Sequence, residues 1–545
     1  MGCEDDIILP DQGDNIIRTK KSDANYDPKG VAHSIFVSLS NKKHEIGQID
    51  ANTGEEETFG VTLQKAIRIA CHLKSLGVTP NDIITPCTTN HLNAAAIFHA
   101  ILFTGAKPAG MDPFAPDEDR IRQLELVEPK LIFAIPETVK ALENMIDSLG
   151  LNTKIIVFGK TDIHIPFEDL LVPLPEEEKN FTPYIVDDVH EPALIVFSSG
   201  TTGSPKGICI SHYSVMGNFG NVLLPNNDPQ IFLSYASFVW ASAIVITVTT
   251  ALVGGIKVQA SGFTPEKAWR HLEKYKVSVF FAAPQDLIAL IKNGKPKGLK
   301  LPHLKMLCPA GGPISIPSYH TLQEMFPDVT IFTGFGQTEL FNCALVPDFS
   351  PSARTALLSR PTTCGKPTRG STYKIVDPDT GKILGPNQPG ELCVLSDMNM
   401  IGYYKQDSSE RFDEDGFLKT GDILYYDEEK WFFFVERSKE MLRYKMTAIA
   451  PTEIEHILIQ HPSVKLAVVI GKPTDEGDIT IGVVVRKDKN VTDKELEDLV
   501  ASNVDERKRI RGGIYFVDES EIPFTPSGKI KRRSLKRYIL EKIQN

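Results

Sequence analysis

The sequence predicts an α/β protein with more than one domain, and two observations carry that expectation. Short β-prone runs alternate with stretches whose apolar residues recur at helical spacing. The chain also has 545 residues, 41% of them hydrophobic, which is enough material for several cores. The runs Leu131-Ile132-Phe133-Ala134, Lys154-Ile155-Ile156-Val157-Phe158 and Ala193-Leu194-Ile195-Val196-Phe197 are bounded by turn residues, and Thr62 to Leu76 and Pro265 to Tyr275 carry the helical period. That alternation predicts largely parallel sheets covered by helices.

After about Leu424 the texture changes. A strand-like run, Trp431 to Val435, leads into Glu436-Arg437-Ser438-Lys439-Glu440. Beyond it come a helix (Thr452 to Gln460), strands (Lys465 to Ile470 and Ile479 to Val485), a helix (Asp493 to Asn503) and a basic tail. A domain boundary is therefore expected near Arg437 to Lys439, leaving a C-terminal domain of about a hundred residues, a size that folds alone.

The net charge of -11 argues against a broad nucleic-acid-binding face. The eight cysteines are scattered without a CxxC pair, which reads as reduced thiols rather than a disulfide framework or a zinc site. From Ile231 to Ile256 no residue is charged, but the stretch is rich in Ser and Thr, so a buried helix and strand are expected in place of a membrane span. The acidic start, Met1 to Asp6, lacks the apolar run of a secretory leader.

Chemistry concentrates first in Ser198-Ser199-Gly200-Thr201-Thr202-Gly203-Ser204-Pro205-Lys206-Gly207, directly after the strand ending at Phe197. Small residues let backbone N–H groups approach an anion, hydroxyls add donors and Lys206 adds positive charge, so the loop reads as a triphosphate cradle. It is not a Walker A loop, because Gly207 follows Lys206 where Ser or Thr would be required.

This loop resembles the signature of the adenylate-forming superfamily, which includes acyl-CoA synthetases, 4-coumarate:CoA ligases and beetle luciferases. Four further segments resemble that family's motifs in the same order. Ala310-Gly311-Gly312-Pro313 is similar to the segment flanking adenine. Phe335-Gly336-Gln337-Thr338-Glu339 is similar to the aromatic-Gly-x-Thr-Glu motif, whose Thr contacts nucleotide and whose Glu holds Mg²⁺. Thr420-Gly421-Asp422 resembles the ribose-binding Asp motif, with Arg437 fifteen positions on and Lys439 at the hinge position. Pro523-Phe524-Thr525-Pro526-Ser527-Gly528-Lys529-Ile530 resembles the closing motif, which makes Lys529 the mobile catalytic lysine.

The resemblance implies a large N-terminal domain of packed α/β subdomains with mixed sheets (1–436), a hinge (437–439) and a small mobile α+β C-terminal domain (440–545). It implies ATP and CoA as co-substrates, Mg²⁺ at Glu339, and a catalytic set of Lys529, Thr338, Glu339 and Lys206. ATP or AMP would be held by Ser198, Ser199, Gly200, Thr201, Thr202, Gly203, Lys206, Gly311, Gly312, Phe335, Gly336, Gln337, Thr338, Asp422 and Arg437. Arg443, Tyr444 and Lys445 are the candidate CoA contacts.

Two positions depart from the family pattern. Met446 follows Arg443-Tyr444-Lys445 where relatives often carry glycine, which bears on the CoA step. In Ser237-Phe238-Val239-Trp240 the His-Gly of many relatives is absent, and Trp240 reads either as a gate over an acyl channel or as core packing.

The resemblance favours an acyl-CoA synthetase for a medium- to long-chain fatty acid. A luciferase-type or acyl-AMP-only enzyme and a catalytically degenerate binding homologue are the alternatives. The family suggests a peroxisome, with at most peripheral organelle association. The end, Lys542-Ile543-Gln544-Asn545, lacks an SKL-type address, so a cytoplasmic or peroxisomal location is expected.

Overall fold

The computed structural model describes residues 7–21, 26–198, 205–217, 230–312, 314–347, 351–445, 447–488, 490–524 and 529–544. Two of its sheets are built from the buried apolar runs. Lys107–Pro108, Ile83–Cys87, Leu131–Ala134, Lys154–Val157 and Ile165–Pro166 lie side by side in that order, all parallel. Their continuous apolar character follows from burial on both faces. The helix Phe59–Ser75 begins at Thr58, whose side chain accepts from the Val61 N–H. Leu92–Thr104 is apolar all round and is buried accordingly.

The second sheet runs Thr330–Ile331, Met306–Pro309, Val279–Ala282, Ile231–Ser234, Ile256–Gln259, Ile46–Asp50 and Glu56–Thr58, with only the last pair antiparallel. The uncharged stretch resolves here into the strand Ile231–Ser234, the buried helix Ala241–Val253 and the start of the strand Ile256–Gln259. Among the described residues no helix is long and apolar enough to cross a membrane.

Elsewhere the expectation of largely parallel sheets needs correction. A nine-stranded sheet containing Ser371–Val376, Gly390–Ser396, Leu418–Tyr426, Phe432–Arg437, Thr363–Pro367 and Phe335–Gln337 is antiparallel throughout. Short turns join Phe335–Gln337 to Asn342–Val346 and Leu418–Tyr426 to Phe432–Arg437, and such turns can join antiparallel neighbours but cannot make a parallel crossover. Pro192–Phe197, Gly207–Ser211 and Gly402–Tyr403 form a small antiparallel sheet of their own.

The C-terminal part has its own sheet of Thr447–Ile449, Leu442–Tyr444, Gly477–Arg486, Val464–Thr474 and Ile514–Phe516. Its two faces bury alternate residues. Ala467, Val469 and Val484 pack with Ile454, Leu458 and Leu496, while Val468, Ile470 and Val483 pack with Leu535 and Ile539. Helices on both faces of a mixed sheet give an α+β unit, smaller than the N-terminal part.

Candidate active site

The candidate phosphate loop joins two antiparallel strands, because Gly207–Ser211 folds back on Pro192–Phe197. Among the described residues it is followed by the strand Gly207–Ser211, not by a helix. The Ser198 N–H donates to the Lys206 carbonyl at 3.1 Å and closes the mouth of the loop. Ser199, Gly200, Thr201, Thr202 and Gly203 lie outside the described residues. Lys206 holds its ammonium 4.3 Å from the centroid of the Tyr403 ring. The pairing of Gly207–Ser211 with Gly402–Tyr403 brings that ring alongside, Ile208 standing opposite Tyr403.

The Tyr403 hydroxyl donates to Glu339 Oε1 at 3.2 Å. Glu339 follows the short strand Phe335–Gln337, and its own carbonyl accepts from the Met400 N–H at 2.7 Å. A tight turn closed by the Phe341 N–H on Gln337 and Thr338 carbonyls, with Phe341 at φ 45°, presents Thr338 and Glu339 half-buried at the end of the strand. Phe335 packs inward while Gly336 is exposed.

Gln337 reaches across to the next motif. Its Nε2 donates to Asp422 Oδ2 at 2.5 Å and to the Thr420 carbonyl at 2.8 Å. Asp422 is only 4% exposed, and Arg437 Nε lies 3.5 Å from its other oxygen. The fifteen-residue spacing in the sequence has a simple cause, since Leu418–Tyr426 and Phe432–Arg437 are antiparallel neighbours with Asp422 directly opposite Arg437. Gly421 adopts φ 74°, a left-handed conformation that suits glycine, and its N–H donates to Glu391 at 2.8 Å. Burial raises the Asp422 carboxyl above its usual range, and the Arg437 charge and the Gln337 hydrogen bond oppose the rise.

Lys529 joins this group from the C-terminal part. The Lys531 N–H donates to the Pro523 carbonyl at 2.8 Å and Phe524 bridges Ile530, which closes the loop that carries it. Burial and the nearby Arg437 charge depress the Lys529 ammonium, while Asp422 pulls the other way. The structure thus brings Lys206, Glu339, Gln337, Asp422, Arg437 and Lys529 into one connected cluster.

Other candidates stand apart from it. Gly311 has φ 92° with open space on its Cβ side, and Gly312 lies against Pro284. Lys439 is exposed in the 3₁₀ turn Ser438–Glu440. Arg443 pairs with Asp379 at 2.8 Å, while the Tyr444 hydroxyl and Lys445 engage Glu476 at 3.0 and 3.2 Å. The three candidate CoA contacts therefore take partners outside the Asp422 cluster. Met446 lies outside the described residues. Trp240 is half-buried just before the helix Ala241–Val253, whereas Phe238, 2% exposed, fills the core position beside it.

Sequence reasoning missed Tyr403 and Arg411. A Gly-Tyr pair in Ile401-Gly402-Tyr403-Tyr404 hints at the first. Nothing in the sequence marks Arg411, whose Nη2 donates to the Thr420 carbonyl at 3.4 Å and whose charge acts on both Tyr403 and Asp422.

Four cations (Lys206, Arg411, Arg437, Lys529) thus face two carboxylates (Glu339, Asp422), an excess suited to a polyanionic ligand. Among the described residues no group of three or more His, Cys, Asp or Glu could cage a metal. A single half-buried carboxylate at Glu339 fits Mg²⁺, which takes one or two carboxylates and fills its shell with phosphate oxygens and water.

Comparison with known proteins finds matches along most of the chain. The profile of the AMP-binding enzyme family matches residues 38–404, and that of the AMP-binding enzyme C-terminal domain matches residues 453–529. Luciferin 4-monooxygenase of Photinus pyralis is 30% identical over 507 residues, covering 90% of each chain. A probable 4-coumarate–CoA ligase of Dictyostelium discoideum is 28% identical over 98% of this chain and 99% of its own. The luciferase-like enzyme of the nonluminescent mealworm Zophobas morio superposes with a TM-score of 0.74 at 34% identity, covering 78% of this chain and 99% of that one. An anthranilate CoA ligase in complex with anthranoyl-AMP shares the fold, with a TM-score of 0.82 at 22% identity over 93% of this chain and 97% of its own.

Proposed function

Because the chain belongs to the AMP-binding enzyme family of adenylate-forming luciferases and CoA ligases, we propose that it is an ATP-dependent acyl-CoA synthetase. It activates a carboxylic acid as acyl-AMP and then passes the acyl group to CoA. The observation that carries the first half is Lys529, half-buried and presented from the C-terminal part into the field of Asp422 and Arg437.

In the first step an oxygen of the acid's carboxylate bonds to the α-phosphorus of ATP. The bond from that phosphorus to the bridging oxygen breaks, and pyrophosphate leaves with the electron pair. Such a transfer needs positioning and charge neutralisation more than covalent help. Asp422, its oxygens held by Gln337 and Arg437, orients the ribose hydroxyls as acceptor. Lys206 steadies the leaving phosphates, and Lys529 stabilises charge developing at the α-phosphate. Glu339, its carboxylate fixed by the Tyr403 hydroxyl, would hold Mg²⁺, which would supply further neutralisation of the phosphates.

In the second step the CoA sulfur bonds to the acyl carbon and AMP leaves. This step requires the small domain to turn about 437–439, since Arg443, Tyr444 and Lys445 now face other partners. The acid is an apolar one, a medium- to long-chain fatty acid, with the half-buried Trp240 gating its channel beside the apolar helix Ala241–Val253. The luciferase relatives favour a second reading, in which the adenylate is a luciferin and is oxidised by molecular oxygen with emission of light.

Acid-dependent exchange of pyrophosphate into ATP tests the first step, and CoA-dependent release of AMP tests the second. Exchange without CoA-dependent AMP release would restrict the activity to adenylation, and light from a luciferin adenylate would select the second reading.

A further inference from the structure

We propose that Arg411 is a phosphate-chain contact of the nucleotide site. The inference rests on the ATP-dependent reading above and adds a residue that none of the sequence motifs contains.

Arg411 is half-buried with a buried guanidinium donor left unpaired among the described residues. Arg411 ends the short 3₁₀ turn Ser409–Arg411 and carries five N–H donors. Its side chain makes one hydrogen bond among the described residues, a long 3.4 Å contact from Nη2 to the Thr420 carbonyl. Its Nε is buried with no hydrogen-bond partner among the described residues. Buried donors are almost always satisfied, and a cation removed from water needs an anion or several acceptors.

Arg532 obeys that rule, held by Glu455 and by Glu440 at 2.7 Å. Arg120 leaves its Nε and Nη1 without a hydrogen-bond partner among the described residues, but its charge is paired with Asp117. Arg411 has no carboxylate partner among the described residues. The nearby Asp413 is already engaged by Lys374 at 2.7 Å.

Position supplies the second argument. Arg411 Nη1 lies 3.6 Å from where a side chain on Gly421 would begin, so it borders the turn that presents Asp422. Its positive charge acts on the Asp422 carboxyl and on the Tyr403 phenol, which is itself hydrogen-bonded to Glu339. Arg411 therefore borders the turn of the proposed ribose acceptor, and its charge reaches the Tyr403–Glu339 pair, so the phosphates of a nucleoside triphosphate held by Asp422 and Glu339 come within its field. A planar guanidinium suits phosphate oxygens there, because two parallel N–H donors can meet two of them.

Binding of Mg-ATP, pyrophosphate and adenosine by the full-length chain, followed by calorimetry, tests the assignment in the unaltered protein, in Arg411→Gln and in Arg411→Lys. Arg411→Gln is expected to weaken Mg-ATP and pyrophosphate by about 10- to 100-fold, as loss of a charge-assisted hydrogen bond should. Adenosine should stay within about twofold, and Arg411→Lys should recover part of the loss by restoring the charge. Mg-ATP affinity in Arg411→Gln within about twofold of the unaltered chain overturns the assignment. An equal loss for adenosine also overturns it, because Arg411 would then serve only to hold the Thr420 to Asp422 turn. If the unaltered chain itself binds no Mg-ATP, the ATP-dependent reading falls first and takes this assignment with it.

Discussion

Gln337 Nε2 donates to Asp422 Oδ2 at 2.5 Å, a bond between residues 85 apart in the chain. It fastens the strand that leads into Thr338 and Glu339 to the strand that presents Asp422. The proposed metal carboxylate and the proposed ribose acceptor are thereby placed relative to each other by one amide. Gln337→Leu keeps the bulk and removes the donor. ATP affinity is expected to fall by about tenfold, the usual loss for a hydrogen bond to a charged group, with the KM for the acid unchanged. Steady-state kinetics with each substrate varied in turn checks this.

Arg437→Gln should move the pH window of adenylation upward on both sides. The Asp422 carboxyl lies above its ordinary range through burial, and Arg437 holds it down. Lys529 lies below its ordinary value through burial and through Arg437. Without the guanidinium both groups retain protons to higher pH. The acid limb, where Asp422 must ionise, and the alkaline limb, where Lys529 must stay protonated, then both shift to higher pH in the profile of kcat/KM for ATP.

Lys257→Met should stabilise the fold. Lys257 is fully buried in the strand Ile256–Gln259, its ammonium donating to Thr247 Oγ1 at 2.7 Å and lying 5.1 Å from the Phe238 ring centroid. Burial pushes it down to about 7 from 10.5. The unfolded chain thus keeps a proton that the folded chain releases, and stability rises with pH between those two values. Below about pH 7 the full cost of burying the cation is present. The variant should gain about 1–4 kcal/mol at pH 7 and lose this part of the slope, as denaturant unfolding at several pH values would show.

Trp240→Ala should widen acid selection if the indole gates the acyl channel. The ratio of kcat/KM for a long over a short fatty acid is expected to rise by about tenfold, the scale on which pockets discriminate methylenes. An unchanged ratio with a lowered melting temperature would make Trp240 a packing residue instead.

Much of this architecture was readable from residues whose environment is local. Leu131–Ala134 and Lys154–Val157 show as strands because both faces are buried and the apolar run is unbroken. The antiparallel sheet around Asp422 was not readable as such. Its strands resemble the parallel ones in composition, and their direction is set by connections of very different length, a short turn from Leu418–Tyr426 to Phe432–Arg437 but residues 397–417 from Gly390–Ser396 to Leu418–Tyr426. The spacing from Asp422 to Arg437 was visible as a pattern, while its cause, cross-strand pairing, appears only in the fold. Arg411 and Lys257 were invisible for a related reason. An arginine near a strand or a lysine within one reads as surface until tertiary packing buries it.

The central claim is that Lys529, delivered from the C-terminal part, drives acyl-adenylate formation at the Asp422 cluster. Acid-dependent exchange of labelled pyrophosphate into ATP, run over a broad acid panel with the unaltered chain and with Lys529→Ala, tests it most directly. The account predicts exchange with at least one apolar acid, and a fall of about 100- to 1,000-fold in Lys529→Ala at an unchanged melting temperature. Normal exchange in Lys529→Ala, or no exchange by the folded unaltered chain with any acid, would contradict it.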